Sequence, residues 1–190
     1  MNRRDAIGRV ALLMGGAVIG AEFFVSGCKS PVAGDVKDLA KPETIAYMDE
    51  VAETILPRTS TPGAKDAKVG AFMNVMVRDC YAPEDQKVFT EGLGKIDDAT
   101  ERKYSVKFIK ADAKQRAAVL ADLDKEAAAY NKSKKKEDPN HFYTMVKQLT
   151  LLGYFTSEEG CTKALRYLPI PGKFDGNYPY KKGDKAWALA

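Results

Sequence analysis

One histidine, His141, and three cysteines, Cys28, Cys80 and Cys161, bound the ligand and nucleophile chemistry open to this 190-residue chain. A single imidazole leaves almost no room for a clustered-histidine metal centre or a Ser-His-Asp triad. None of the cysteines lies in a CxxC or CxxCH motif, which argues against dithiol redox chemistry and covalent haem. Asp97 and Asp98 are adjacent, hence on different helical azimuths, and read as solvated carboxylates rather than a general acid and base. Asp79, beside Cys80, reads as a helix-end polar residue as easily as a functional one. No glycine-rich phosphate loop follows a strand, because Gly15, Gly16 and Gly20 fall near the N-terminus and Gly92 and Gly94 interrupt a helical pattern. The expectation is a chain with no catalytic residues, no metal ligands and no cofactor of its own.

The thiol with a clear chemical context is Cys28. Val25-Ser26-Gly27-Cys28 runs apolar, small, small, cysteine, the order of a bacterial lipobox, in which the thiol accepts a diacylglycerol before cleavage. Cys28 would then become an N-terminus with several acyl chains, and two or more chains anchor stably to a membrane. The other reading is a plain buried cysteine near the end of a signal anchor. Upstream, Arg3 and Arg4 open a basic stretch, and Val10 to Ala21 run twelve residues without a charge. That run is too short to cross about 30 Å of hydrocarbon, which needs roughly 20 apolar residues. Its mild hydrophobicity suits the twin-arginine route better than the general secretory one. The expected destination is periplasmic and lipid-anchored. There Cys80 and Cys161 form an even pair, which suggests one disulfide. It would close about 80 residues and contribute up to about 4 kcal/mol in the chain-entropy model. Two separate buried thiols are the alternative.

These residues need a body to position them. The length suggests one domain, and 45% hydrophobic with 29% charged residues is a globular mixture rather than a disordered or multi-span one. The net charge of +4, from 30 basic against 26 acidic residues, argues against nucleic acid as a partner. Residues 1–28 read as a signal with a lipobox, 29–41 as a tether, 42–168 as a helical domain and 169–190 as an irregular arm. Ile45, Met48, Val51, Ala52, Ile55 and Leu56 recur at steps of three and four, and Pro57 ends the run. A second helix is expected over 67–81 with Val69, Phe72, Met73, Met76 and Cys80 inward. A third opens at Pro83 and Glu84 and buries Phe89, Leu93 and Ile96. Asp112 suits the N-cap of a fourth, reaching Tyr130. Lys132 to Lys136 read as a solvated loop. Pro139 could open a fifth and most apolar helix, with Phe142, Met145, Val146, Leu149, Leu152 and Tyr154, followed by a short turn from Thr156 or Ser157 to Leu168. Strand-like alternation is scarce, so the fold class is all-α, a compact domain of about five helices.

The last segment differs in kind. Prolines and glycines between Pro169 and Pro179 forbid regular helix, yet Phe174, Tyr178, Tyr180 and Trp187 make it aromatic, unlike a disordered tail. Such an arm either folds back on its own domain or lies against another protein, where aromatics are favoured anchors.

Several segments together resemble the gluconate 2-dehydrogenase subunit 3 family. They are Ala52-Glu53-Thr54-Ile55-Leu56-Pro57, Thr61-Pro62-Gly63-Ala64, Val69-Gly70-Ala71-Phe72, Asp79-Cys80-Tyr81, Leu149 through Glu158, and Leu165-Arg166-Tyr167 leading into Pro171-Gly172-Lys173-Phe174-Asp175-Gly176. The resemblance implies a non-catalytic small subunit. Its partner would be a large glucose-methanol-choline-type subunit that binds FAD and oxidises sugars, sugar acids or glycosides. A cytochrome c subunit or soluble carrier would take the electrons. The large subunit often lacks a signal, so the small one exports the folded pair. On that footing Arg3 and Arg4 address the complex, Cys28 anchors it, and the Leu149–Glu158 helix and the Pro171–Tyr180 arm grip the large subunit, with Phe174, Tyr178 and Tyr180 as contacts. A free-standing periplasmic lipoprotein that binds a ligand or acts as a scaffold is the alternative.

Overall fold

The computed structural model describes residues 34–189. Arg3, Arg4 and Cys28 lie outside the described residues. Five helices build the body: α1 (Pro42–Ile55), α2 (Val69–Cys80), α3 (Pro83–Tyr104), α4 (Ala113–Ser133) and α5 (Phe142–Phe155). Two short strands, β1 (Arg166–Leu168) and β2 (Trp187–Leu189), belong to the C-terminal arm. The all-α body is therefore as expected, while the arm contains a strand pair that its composition does not announce.

Helix boundaries follow local chemistry. Pro42 and Pro83 sit in the first turns of α1 and α3, where a missing N–H costs nothing. Glu84 and Asp85 face the positive N-terminal end of α3, and Arg102 and Lys103 its negative C-terminal end. The Asp112 carboxylate accepts from the Gln115 N–H, and the Gln115 amide oxygen accepts from the Asp112 N–H, closing a capping box at α4. α5 begins at Phe142 rather than Pro139, because the His141 Nδ1 accepts from the Tyr143 N–H and serves as its N-cap.

α1 buries Thr44, Tyr47, Met48, Val51 and Ala52, an i, i+3, i+4, i+7, i+8 stripe. α5 packs against each of the other four helices. Its partners reach it closely where α3 and α5 themselves carry glycine. A Cβ on Gly92 would overlap the Phe142 side chain, and one on Gly153 would stand 2.6 Å from the Phe72 ring. Gly92 and Gly94 therefore lie within a continuous α3 instead of interrupting it, since tertiary packing outweighs a helix-propensity penalty of about 1 kcal/mol. Tyr47, Phe89 and Phe108 are fully buried in the core, each contributing roughly 1.5–3 kcal/mol by transfer from water.

The chain entering α1 is not wholly a tether. Residues Val36–Ala40 form a 3-10 turn that drives Leu39 into the core. Cys80, expected inward, is exposed at the end of α2, where Asn74 and Val77 take the buried positions. Cys80 and Cys161 are both free thiols, so the bridge weighed from their even number is not present here. The Cys161 thiol instead donates to the Phe155 carbonyl at 3.1 Å. A body of this size can bury enough surface to fold without a cross-link.

Asp97 is the larger correction. It is 1% exposed, not solvated. Its Oδ1 accepts from the Phe108 N–H at 3.0 Å and from the Tyr47 hydroxyl at 3.3 Å. The carboxylate thereby ties α3 to α1 and to the turn Phe108–Lys110. Burial, then the neighbouring Asp97 charge, pushes the Tyr47 phenol well above its ordinary range, so it remains a donor. From the same turn, the Phe108 and Ile109 carbonyls accept from Arg116 at 3.0 and 2.6 Å, and Arg116 also reaches Glu50 of α1 at 2.8 Å. Position 97 continues the step-of-four series Phe89–Leu93, which is the sequence signal for its burial.

Two outcomes test this packing. Asp97→Ala strands the buried Phe108 N–H and should cost about 1–3 kcal/mol in chemical denaturation; an unchanged midpoint would refute the tie. At His141, burial is the main cause holding the imidazole below its ordinary value, with Lys95 adding to the effect and Glu126 opposing it. A depressed folded value means the unfolded chain binds the proton more readily. Stability is therefore full above about pH 6.5 and declines as pH falls below it. His141→Asn, which can still cap, should flatten that decline in thermal melts between about pH 8 and about pH 5.5.

Candidate partner interface

The loop between α1 and α2 is held by side chains of the helical body. Glu53 accepts from the Arg58 and Lys65 N–H groups at 2.8 and 2.9 Å. The Tyr154 hydroxyl donates to the Pro62 carbonyl at 2.6 Å, and Asp49 accepts from the Gly70 N–H at 2.7 Å. Desolvation raises the Asp49 carboxyl, and the Gly70 N–H partly offsets this. Each contact satisfies a backbone donor or acceptor that an irregular loop would otherwise leave open.

α5 connects this body to the surface. Leu149, Thr150, Gly153 and Tyr154 point inward, whereas Leu151, Leu152 and Phe155 are exposed and share a side at i, i+1, i+4. Tyr154 is core, 4% exposed; Phe155 packs edge-on against it at 5.1 Å yet stays open to solvent. The grip expected of Leu149 through Glu158 can thus come only from its outward residues.

A π-turn, Gly160–Ala164, leads from α5 into the arm. β1 and β2 pair in parallel, Arg166 opposite Trp187, Tyr167 opposite Ala188 and Leu168 opposite Leu189. The Arg166 guanidinium lies over the Trp187 ring at 4.1 Å and 5.9 Å from the Tyr178 ring, and its Nε donates to the Lys185 carbonyl at 2.8 Å. Tyr178 meets Trp187 edge-on at 5.5 Å. Gly172 and Gly183, at φ +70° and +95°, make the reversals that return the chain. The arm therefore folds on itself around a cation–π stack.

That fold leaves its aromatics uneven. Tyr178 is braced by Trp187, but Phe174 is 96% exposed and Tyr180 74%. Leu168, Leu189, Trp187, Tyr178 and Phe174 line an open groove of about 850 Å³. Sequence reasoning missed the roles of Arg166, Leu151 and Leu152. Nothing in local spacing ties Arg166 to a tryptophan far along the chain, and α5 reads only as the most apolar helix, with Leu152 among its apolar positions.

Among the described residues, no group of three His, Cys, Asp or Glu side chains could hold a metal. Among the described residues neither strand leads into a helix, so they form no strand–turn–helix cradle of the kind that holds a dinucleotide phosphate. No helix among them is long and apolar enough to cross a membrane.

The described residues thus form an apolar helical core with a clamped loop and an exposed aromatic arm. The model of the family described as Gluconate 2-dehydrogenase subunit 3 matches residues 42–172, more than half of the chain, and the chain belongs to that family. The family is a subunit of a dehydrogenase complex. Neither the curated proteins nor the solved structures include a match. The matched span takes in the clamped loop, α5 and the start of the arm.

The stack and the open aromatics respond differently to substitution. Trp187→Ala should speed proteolytic cutting within residues 169–186 several-fold while helical circular dichroism is unchanged. Phe174→Ser should alter neither protease resistance nor stability beyond about 0.5 kcal/mol. Equal protease resistance in both variants would contradict the stack as the arm's support.

Proposed function

We propose that this chain is the small, non-catalytic subunit of a periplasmic FAD-dependent dehydrogenase acting on sugars, sugar acids or glycosides. It exports, matures and tethers a glucose-methanol-choline-type large subunit, which holds the FAD and carries the reaction; a cytochrome c is the proposed electron acceptor. Family membership over residues 42–172 supports the reading, and the observation that carries it physically is the exposed aromatic arm. An isolated protein gains nothing by holding Phe174 almost wholly in water, whereas burying one aromatic anchor against a partner contributes on the order of 2 kcal/mol.

Arg3 and Arg4 supply the address. The twin-arginine route carries folded cargo, which suits a flavoprotein assembled around its cofactor before export. Cys28, acylated, tethers the pair. The mature small subunit supplies the surface formed by Leu151, Leu152 and Phe155 on α5 and by Phe174, Tyr178 and Tyr180 in the arm.

Affinity capture of the tagged full chain from its own envelope fraction, with an absorbance scan of the eluate, tests this. A co-purifying large subunit with flavin absorbance is expected. A colourless monomer, captured under conditions that preserve complexes, would overturn the reading in favour of a free-standing lipoprotein. Arg3→Lys with Arg4→Lys should leave both subunits in the cytoplasm. Cys28→Ser should release an active pair from the membrane fraction.

A further inference from the structure

The arm's strand pair is incomplete as a piece of structure. Parallel strands are normally covered on both faces, and two strands alone are marginal in water. Among the described residues no third strand joins β1 or β2. Leu168, Trp187 and Leu189 share one face, by alternation, and that face lines the 850 Å³ groove. The 169–186 loop covers the face only in part. The charge is lopsided as well. Arg166, Lys173, Lys181, Lys182 and Lys185 stand against Asp175 and Asp184 from residue 166 onward, five against two. That difference of +3 accounts for most of the whole chain's +4.

We infer that the arm is a receptor for an extended, acidic segment of the dehydrogenase large subunit, which adds a strand to an outer edge of the β1–β2 pair and sets apolar side chains into the groove beside Trp187 and Phe174. The inference rests on the accessory-subunit reading above and specifies how the two chains join. Strand addition divides the work: main-chain hydrogen bonds along the edge give affinity, and pockets for alternate side chains give selectivity. The Arg166 stack holds Trp187 as a wall of the groove before the partner arrives, which lowers the ordering cost of binding. Lys173 lines that site, and the arm's net charge of +3 favours an acidic segment and speeds encounter. A membrane surface could also attract lysines and aromatics, but it cannot satisfy the backbone edge. The edge and the groove together favour a peptide.

The test uses the full chain and its captured dehydrogenase complex, with amide hydrogen exchange over residues 166–168 and 187–189. Protection should rise at least about tenfold in the complex relative to the free chain. Lys173→Glu/Lys181→Glu/Lys182→Glu alters only exposed side chains. It should weaken association at least about tenfold at low salt, with the difference shrinking as salt rises. Vesicles of phosphatidylglycerol and phosphatidylethanolamine should leave the same amides unprotected. A complex that forms with these amides still exchanging freely, or that ignores the triple substitution, overturns the inference while the accessory-subunit reading stands. Protection by vesicles but not by the flavoprotein would reassign the arm to the membrane. If the wild-type chain captures no flavoprotein, both readings fail together.

Discussion

Helix α5 is the constraint on which the rest of the molecule hangs. It touches all four other helices. Phe142, Met145, Val146, Leu149 and Tyr154 are the seam along which the neighbours close. Close approach is bought by glycine: Gly92 opens α3 to Phe142, and Gly153 opens α5 to Phe72. Yet α5 is more apolar than four neighbours can cover, so Leu151, Leu152 and Phe155 remain in water where its C-terminal end turns toward the arm. One helix thus sets both the interior and the surface left unfinished.

The polar contacts support that arrangement instead of competing with it. Asp97 is inside because two neighbouring elements present donors to α3 there, and its carboxylate satisfies the Phe108 N–H and the Tyr47 hydroxyl together. Glu53, Asp49 and Tyr154 do the same for the loop that follows α1. A buried donor left without a partner costs more than a hydrogen bond gains, which is the case for the Phe108 N–H that Asp97 holds. The surface proposed to meet a partner stands on this body, while the arm is braced mainly by Arg166, Tyr178 and Trp187.

Much of the fold is legible in the sequence because its signals are periodic and local. The stripe on α1, the proline starts of α1 and α3, and the Asp112 cap each lie within a few residues of the boundary they define. The sequence misleads where a distant residue decides. Gly92 reads as a break until Phe142 is placed beside it, and Asp97 reads as solvated until Tyr47 and Phe108 arrive. Leu39 reads as linker because the core it enters is built by later residues. The arm's aromatics are visible in composition, but their division into a braced Tyr178 and open Phe174 and Tyr180 depends on pairing between Arg166 and Trp187. That pairing is long-range and leaves no periodic trace.

The central claim is that α5's outer side and the arm are surfaces completed by a dehydrogenase subunit. Hydroxyl-radical footprinting of the chain alone and in its captured complex reads this side chain by side chain. The account predicts that oxidation of Phe174, Tyr180, Leu152 and Phe155 falls several-fold in the complex, while exposed Val75 and Tyr130, remote from the arm in sequence, are unchanged. Oxidation of Phe174 and Leu152 that stays at the free-chain rate, in a complex that has demonstrably formed, would contradict it.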